Sequence, residues 1–194
     1  MVESEQNIFE AVNNTLAEIR NRTSHDDIKL KRTTIGQADQ WVVSNEKAAA
    51  GIDISGFTHE ITNHFIIHTI KKHGNPQVEQ PRGNVAITND DFLRIPQMIE
   101  SPDITCFGLK RRSKGKTQDA ILYAKDFDDG ASLLFEVILT GKANKALRGV
   151  TFFKKKNRLT KEKVFNILNE DKQNDISNLK IVVGAGGQTG DEAT

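Results

Sequence analysis

Four of the chain's five histidines, His59, His64, His68 and His73, fall in the single stretch HEITNHFIIHTIKKHG, His59 to Gly74. The spacing predicts a helix over Asn63 to His73, stopped by Gly74 as a left-handed cap. On a helical wheel Ile66, Ile67 and Ile70 form one stripe, and His64, His68, Lys71 and Lys72 form the opposite one. One face is built to pack. The other sets two imidazoles beside two ammonium groups, a way to hold a titratable group next to a bound phosphate. Metal-free RNA cleavage needs a base for the 2′-hydroxyl, an acid for the leaving 5′-oxygen, and cations for the charge on the phosphorane. Histidine suits the proton transfers because its pKa lies near neutrality. His68 and Lys72, four residues apart, project together. An ordinary solvated helix face has the same pattern, because basic pairs at this spacing are common.

The second place for chemistry is Gly149-Val150-Thr151-Phe152-Phe153-Lys154-Lys155. Strand alternation puts Thr151, Phe153 and Lys155 on one side and Val150, Phe152 and Lys154 on the other. The Thr151 hydroxyl can bind a phosphate there, or the threonine can simply serve its β-preference. Arg82, in Pro81-Arg82-Gly83, offers a bidentate clamp for phosphate or an exposed loop side chain. Two basic clusters run from Lys110 to Lys116, with Arg111 and Arg112, and from Lys154 to Arg158. They suit contacts to an RNA backbone, a solubilising surface, or a patch for an acidic protein.

Two other signals are declined. His64 and His68 have helical metal-ligand spacing, but the glutamate of a zincin motif is missing and Glu60 sits too early. Asp90 and Asp91 lack a third carboxylate at ligand spacing, so capping explains them better. Neither metal nor cofactor is expected. Ile181 to Gly187 imitates a strand entering a dinucleotide loop, yet no helix follows to receive a pyrophosphate.

These residues need elements to position them. Ile8, Val12, Leu16 and Ile19 predict a helix over Glu5 to Arg22, broken at Thr23 to Asp27, where His25 is a solvated loop residue. Ile28 to Val43 is ambiguous. Its KLKRTTI alternates like a strand, and Trp41, flanked by Val42 and Val43, reads as a core anchor rather than a platform for a base. Asn45 to Ala50 forms a turn or two of helix ended by Gly51. A second helix runs from Asp90 to Glu100, kinked or split by Pro96. Four β-rich runs follow, Thr105 to Arg111, Gln118 to Lys125, Ser132 to Thr140 and Gly149 to Lys155. Turns at Ser113-Lys114-Gly115, Asp128-Asp129-Gly130 and Gly141 to Asn144 predict an antiparallel meander. Helix returns over Thr160 to Asp171, Leu179 to Val183 adds a late strand, and Gln188 to Thr194 is expected to be disordered.

With 194 residues, 27% charged and 37% hydrophobic, the chain has enough sequence for one sizeable core under a polar surface. The net charge of +1 makes any nucleic-acid surface a local matter. Cys106 is the single cysteine, which rules out an intrachain disulfide framework. No apolar run spans a bilayer and the first residues lack a signal-peptide pattern, so a cytoplasmic protein is the default expectation. Delivery to a target cell by a specialised secretion or phage route remains compatible with that.

The succession HTIKKHG, PRGNVAIT, DDFLRIPQMIESPD, a lysine-rich hairpin region and a late GVTFFKK resembles the phage-associated barnase–EndoU–colicin–RelE-like nuclease domains, over about Gly56 to Lys156. The resemblance implies a metal-independent ribonuclease, often a toxin paired with an immunity or antitoxin protein, with helices preceding an antiparallel sheet. His68 and His73 match the family's histidine–spacer–histidine–glycine pattern, although His73 lies about 140° around the helix from His68 and can instead serve the last helical carbonyls or the core. Thr151 resembles the family's late polar position, and Arg82 follows its arginine–glycine pair. The reading is therefore an α+β protein, with N-terminal helices on an antiparallel sheet of about four strands and a C-terminal helix. Residues 1–40 form a helical extension, 41–172 the nuclease-like domain and 173–194 a tail. His68, Lys72 and Thr151 are the catalytic candidates; His73, Arg82, Arg111, Arg112 and Lys154 are the substrate-binding ones. The alternative is a non-catalytic RNA- or protein-binding module on the same fold.

Overall fold

The computed structural model describes residues 3–20, 28–113, 115–141 and 144–184. His25, Lys114, the centre of the turn after Gly141, and the C-terminal residues from 185 lie outside the described residues. At the centre is the meander that the turn signals predict: β4 (Ile104–Ser113), β5 (Lys116–Phe127), β6 (Gly130–Gly141) and β7 (Asn144–Lys155), each antiparallel to the next. Its strands are covered on both faces, which is why Ile121 to Ala124 and Leu133 to Ile138 read as almost unbroken apolar runs. One face carries Phe107, Ile121, Tyr123, Leu134 and Phe152 into the larger core. The other gives Cys106, Leu122, Leu133 and Phe135 to a smaller core closed by Val164 and Leu168.

The expected four-stranded antiparallel sheet is corrected by what surrounds this meander. Among the described residues the sheet has nine strands, ordered β1-β2-β7-β6-β5-β4-β8, with β3 (Asn84–Val85) on β7 and β9 (Lys180–Val183) on β4. It is mixed, because β2 (Thr58–Thr62) runs parallel to β7. Strand β1 (Arg32–Gln37) pairs antiparallel with β2, and β8 (Asn174–Asp175) pairs with β4. Of the added strands, β1 and β9 fall where KLKRTTI and Leu179 to Val183 already read as strand, whereas β2, β3 and β8 are short and sit in polar sequence. The β-character of β2, β3 and β8 comes from long-range pairing rather than local apolar alternation, the usual way in which context overrides strand propensity.

Among the described residues six α-helices accompany the sheet: α1 (Glu3–Arg20), α2 (Gln40–Ala50), α3 (Asn63–His73), the single turn α4 (Pro76–Glu79), α5 (Ile95–Glu100) and α6 (Lys161–Glu170). Helix α1 buries Ile8 and Val12 in the larger core. Trp41 lies on α2 and meets Phe107 edge-on at 5.4 Å, yet remains 38% exposed, so it borders the core rather than anchoring it. Pro96 does split its segment: a 3₁₀ stretch, Asp90–Arg94, runs into α5. No described helix is long and apolar enough to cross a membrane.

Helix α3 ends where its sequence says, but not by the expected geometry. Gly74 has φ −89°, in the right-handed region. Its glycine is required by close approach instead, since a Cβ there would fall 2.5 Å from the Ile70 carbonyl oxygen. The start of α3 is firmly set. The Thr62 hydroxyl oxygen accepts from the Phe65 amide at 3.1 Å. The buried Asn63 amide donates to the Lys29 carbonyl and accepts from the Lys31 amide. The strand β2 thus delivers α3 directly beside β7.

Candidate active site

A cleft runs between the polar face of α3 and the segment following α6, with the open surface of β4 to β7 as its floor. It has two adjoining hollows of about 400 and 290 Å³. Lys72, Arg111, Thr151 and Gln173 line both. His64, Phe65, His68, Gln118 and Arg148 belong to the larger hollow; His73, Asn84, Phe153 and Asp171 belong to the smaller.

Helix α3 can approach this floor because β7 carries a glycine beneath it. A Cβ on Gly149 would stand 3.3 Å from the Ile61 side chain and 3.4 Å from the Phe65 ring. The same region of β7 is bulged. Thr151 pairs with Phe135 and Gly149 with Glu136, leaving Val150 as the extra residue. A bulge re-aims the side chains beside it. Here Gly149, Val150 and Thr151 all border the larger hollow.

The sequence candidates divide sharply by position. His68 and Lys72 are exposed on α3 and share the cleft with Thr151. Partial burial lowers the His68 pKa, and Lys72 and His73 lower it further, so its imidazole is neutral at pH 7. His64 lines the cleft too, but its Nε2 donates to the Ile28 carbonyl oxygen at 3.0 Å. His73 is buried. Its Nδ1 lies 3.0 Å from the Glu79 carboxylate, which also accepts from Asn84 at 2.7 Å and Arg82 at 3.1 Å. Burial depresses the His73 pKa, and Glu79 only partly opposes it.

Arg111 reaches into the cleft as a fixed cation. Its guanidinium lies 4.2 Å over the Phe135 ring, donates to Asn174 at 3.1 Å and to Gln173 at 3.3 Å, and is 3.5 Å from the Asp171 carboxylate. The adjacent Arg112 points elsewhere: it is exposed and lines neither hollow. Arg82 is likewise outside, with its exposed side chain braced on Glu79. Lys154 is the clearest displacement. It is buried, with its ammonium 2.7 Å from Asp91 and 3.1 Å from Asp129, and so belongs to an internal ion-pair group. Strand parity already separates it from Thr151; what sequence concealed was the pair of carboxylates waiting for it.

Several residues in and around the cleft gave little warning in the sequence. Arg148 donates through Nε to Glu60 at 2.5 Å, while its Nη2 is buried without a hydrogen-bond partner. Glu79 is an acidic residue in a turn-rich connector, and Gln173 follows α6 in a loop. Neither has a local pattern that reveals a tertiary role. Phe153 was findable, since alternation puts it on the side of Thr151. Among the described residues, no group of three or more histidine, cysteine, aspartate or glutamate side chains is placed to hold a metal ion. Cys106 is buried in β4, which pushes its thiol up to about 12.

The arrangement offers a neutral imidazole, an ammonium, a fixed guanidinium and a hydroxyl around one cavity. These groups can take a proton and bind an anion with several oxygens. A family model described as phage-Barnase-EndoU-ColicinE5/D-RelE like nuclease3 matches residues 36–162. No curated protein and no solved structure matches the chain.

Proposed function

Because the chain belongs to the family described as phage-Barnase-EndoU-ColicinE5/D-RelE like nuclease3, we propose that its cleft cleaves RNA by metal-independent transesterification. The observation that carries this reading is that His68, Lys72, Arg111 and Thr151 open on one cavity. Neutral His68 takes the proton of the 2′-hydroxyl, and the 2′-oxygen attacks the adjacent phosphorus. Lys72 and Arg111 counter the negative charge that grows on the non-bridging oxygens, and the Thr151 hydroxyl donates to one of them. The bond to the 5′-oxygen breaks, and that oxygen leaves as a hydroxyl with a proton from Lys72. The products are a 2′,3′-cyclic phosphate and a free 5′-hydroxyl. His68 then passes its proton to solvent or back to Lys72.

A toxin role with an acidic immunity partner accompanies this proposal. Arg112, Lys116, Lys156 and Arg158 are exposed outside the cleft, where such a partner can meet them. The test of the central reading is incubation of the pure protein with total RNA in excess EDTA, followed by analysis of the product ends. Cyclic phosphates formed by the native protein, and lost in His68→Ala, support it. A requirement for a divalent metal, or binding without cleavage by the native protein, overturns it; the latter leaves a non-catalytic binding module.

A further inference from the structure

Resting on the reading of the cleft as an RNA site, we propose that the smaller hollow is a nucleobase subsite that favours bases bearing an exocyclic amino group. The two hollows share Lys72, Arg111 and Thr151, the groups suited to a phosphate. A nucleotide with its phosphate at that junction has room on one side for its base. At about 290 Å³ the smaller hollow is at the lower limit of a ligand site and suits one flat ring system, not a duplex.

Its wall is aromatic. The rings of Phe135 and Phe153 are stacked, 6.3 Å apart at 20°, and His73 continues the series 5.8 Å from Phe153 at 33°. Phe135 is buried, while Phe153 is only partly so and contributes ring surface to the hollow. The Lys155 ammonium sits loosely over Phe153 at 5.9 Å. An aromatic surface beside fixed cations is how proteins take up an unpaired base by stacking.

The polar edge then selects among bases. The Asn84 amide nitrogen is spent on Glu79, so its Oδ1, buried and without a hydrogen-bond partner, is an acceptor. The Asp171 carboxylate is half-open and lines the same hollow. Both are hydrogen-bond acceptors, and an edge of acceptors needs donors opposite. Adenine, cytosine and guanine present an exocyclic amino group; uracil offers carbonyl oxygens at those positions.

Binding of the four nucleoside 3′-monophosphates, with ribose 5-phosphate and inorganic phosphate as controls, tests this by calorimetry on the native protein. The adenosine, cytidine and guanosine compounds should bind more tightly than the uridine compound and ribose 5-phosphate. Phe153→Leu keeps an apolar side chain but removes the ring, and should weaken nucleotide binding about 5- to 140-fold while sparing inorganic phosphate. Phe153→Tyr should restore it, and Asp171→Asn should reduce the discrimination against uridine. The proposal fails if the native protein binds all four nucleotides no better than ribose 5-phosphate, or if a folded Phe153→Leu protein retains native nucleotide affinity. Base-selective binding without any RNA cleavage would leave the subsite standing and remove the ribonuclease reading. Cleavage with no base selectivity would do the reverse.

Discussion

His68 can act as a base only while its imidazole is neutral, and its surroundings favour that form. Partial burial, Lys72 and His73 all lower its pKa from the usual 6.5. Cleavage should therefore be level at neutral pH and fall as the medium is acidified below that value, when His68 takes up a proton. Removing the imidazole by His68→Ala should reduce kcat by about 100- to 10,000-fold and abolish this acid limb, with little loss of folding, because the side chain is exposed. The neighbouring arginines separate in a different way. Arg111→Gln should weaken binding of single-stranded RNA and reduce the log–log salt slope by about 0.7, the value of one lost phosphate contact, whereas Arg112→Gln should leave it nearly unchanged. Equal effects of the two substitutions would mean that the cleft does not hold the backbone. At this scale helical periodicity states that His68 and Lys72 share a face, and the resemblance added Thr151, which lines the same cavity. Sequence did not separate Arg111 from Arg112 or remove Lys154, because those outcomes depend on Asp171, Asp91 and Asp129, which are distant in the chain.

Among the elements, two bulges do much of the positioning. The one at Val150 shapes the floor of the cleft. The other lies in β4, where Phe107 and Gly108 stand between the paired residues Cys106 and Leu109. Gly108 has φ +66°, and a Cβ there would lie 2.3 Å from the Asn178 carbonyl oxygen, so only glycine fits. Its freed amide donates to Glu46 of α2 at 3.1 Å. Burial raises this carboxyl to about 7 against an ordinary 4.5. The folded protein thus takes up a proton between pH 7 and 4.5 that the unfolded chain does not. This contribution is complete below 4.5 and disappears as pH rises through 7, with a magnitude on the order of 3 kcal/mol. Glu46→Gln should flatten that dependence and raise the melting temperature at pH 8; an unchanged pH–stability profile would contradict the buried, protonated assignment. The meander and the termini of α3 and α6 were legible because turns, caps and apolar runs are local. Strand β2 and its parallel pairing with β7 were not. Thr58 to Thr62 has no apolar alternation of its own and becomes a strand by joining β1 to β7.

For the molecule as a whole, a charge of +1 means that its attraction for a polyanion depends on placement rather than sum. The mixed sheet accomplishes that placement. The parallel strand β2 brings α3 against β7, the meander brings Arg111 from β4 to the same floor, and the residues after α6 close the far wall. The central claim is that the substrate's own 2′-hydroxyl is the nucleophile. The most direct measurement compares a single-stranded RNA oligonucleotide with the same sequence carrying 2′-deoxy residues at the cleaved positions, both in EDTA. The unmodified strand should be cut to products ending in 2′,3′-cyclic phosphate, and the deoxy-substituted strand should survive at those positions. Equal cleavage of both strands would contradict the mechanism, since a phosphodiester without a 2′-hydroxyl cannot form the cyclic product.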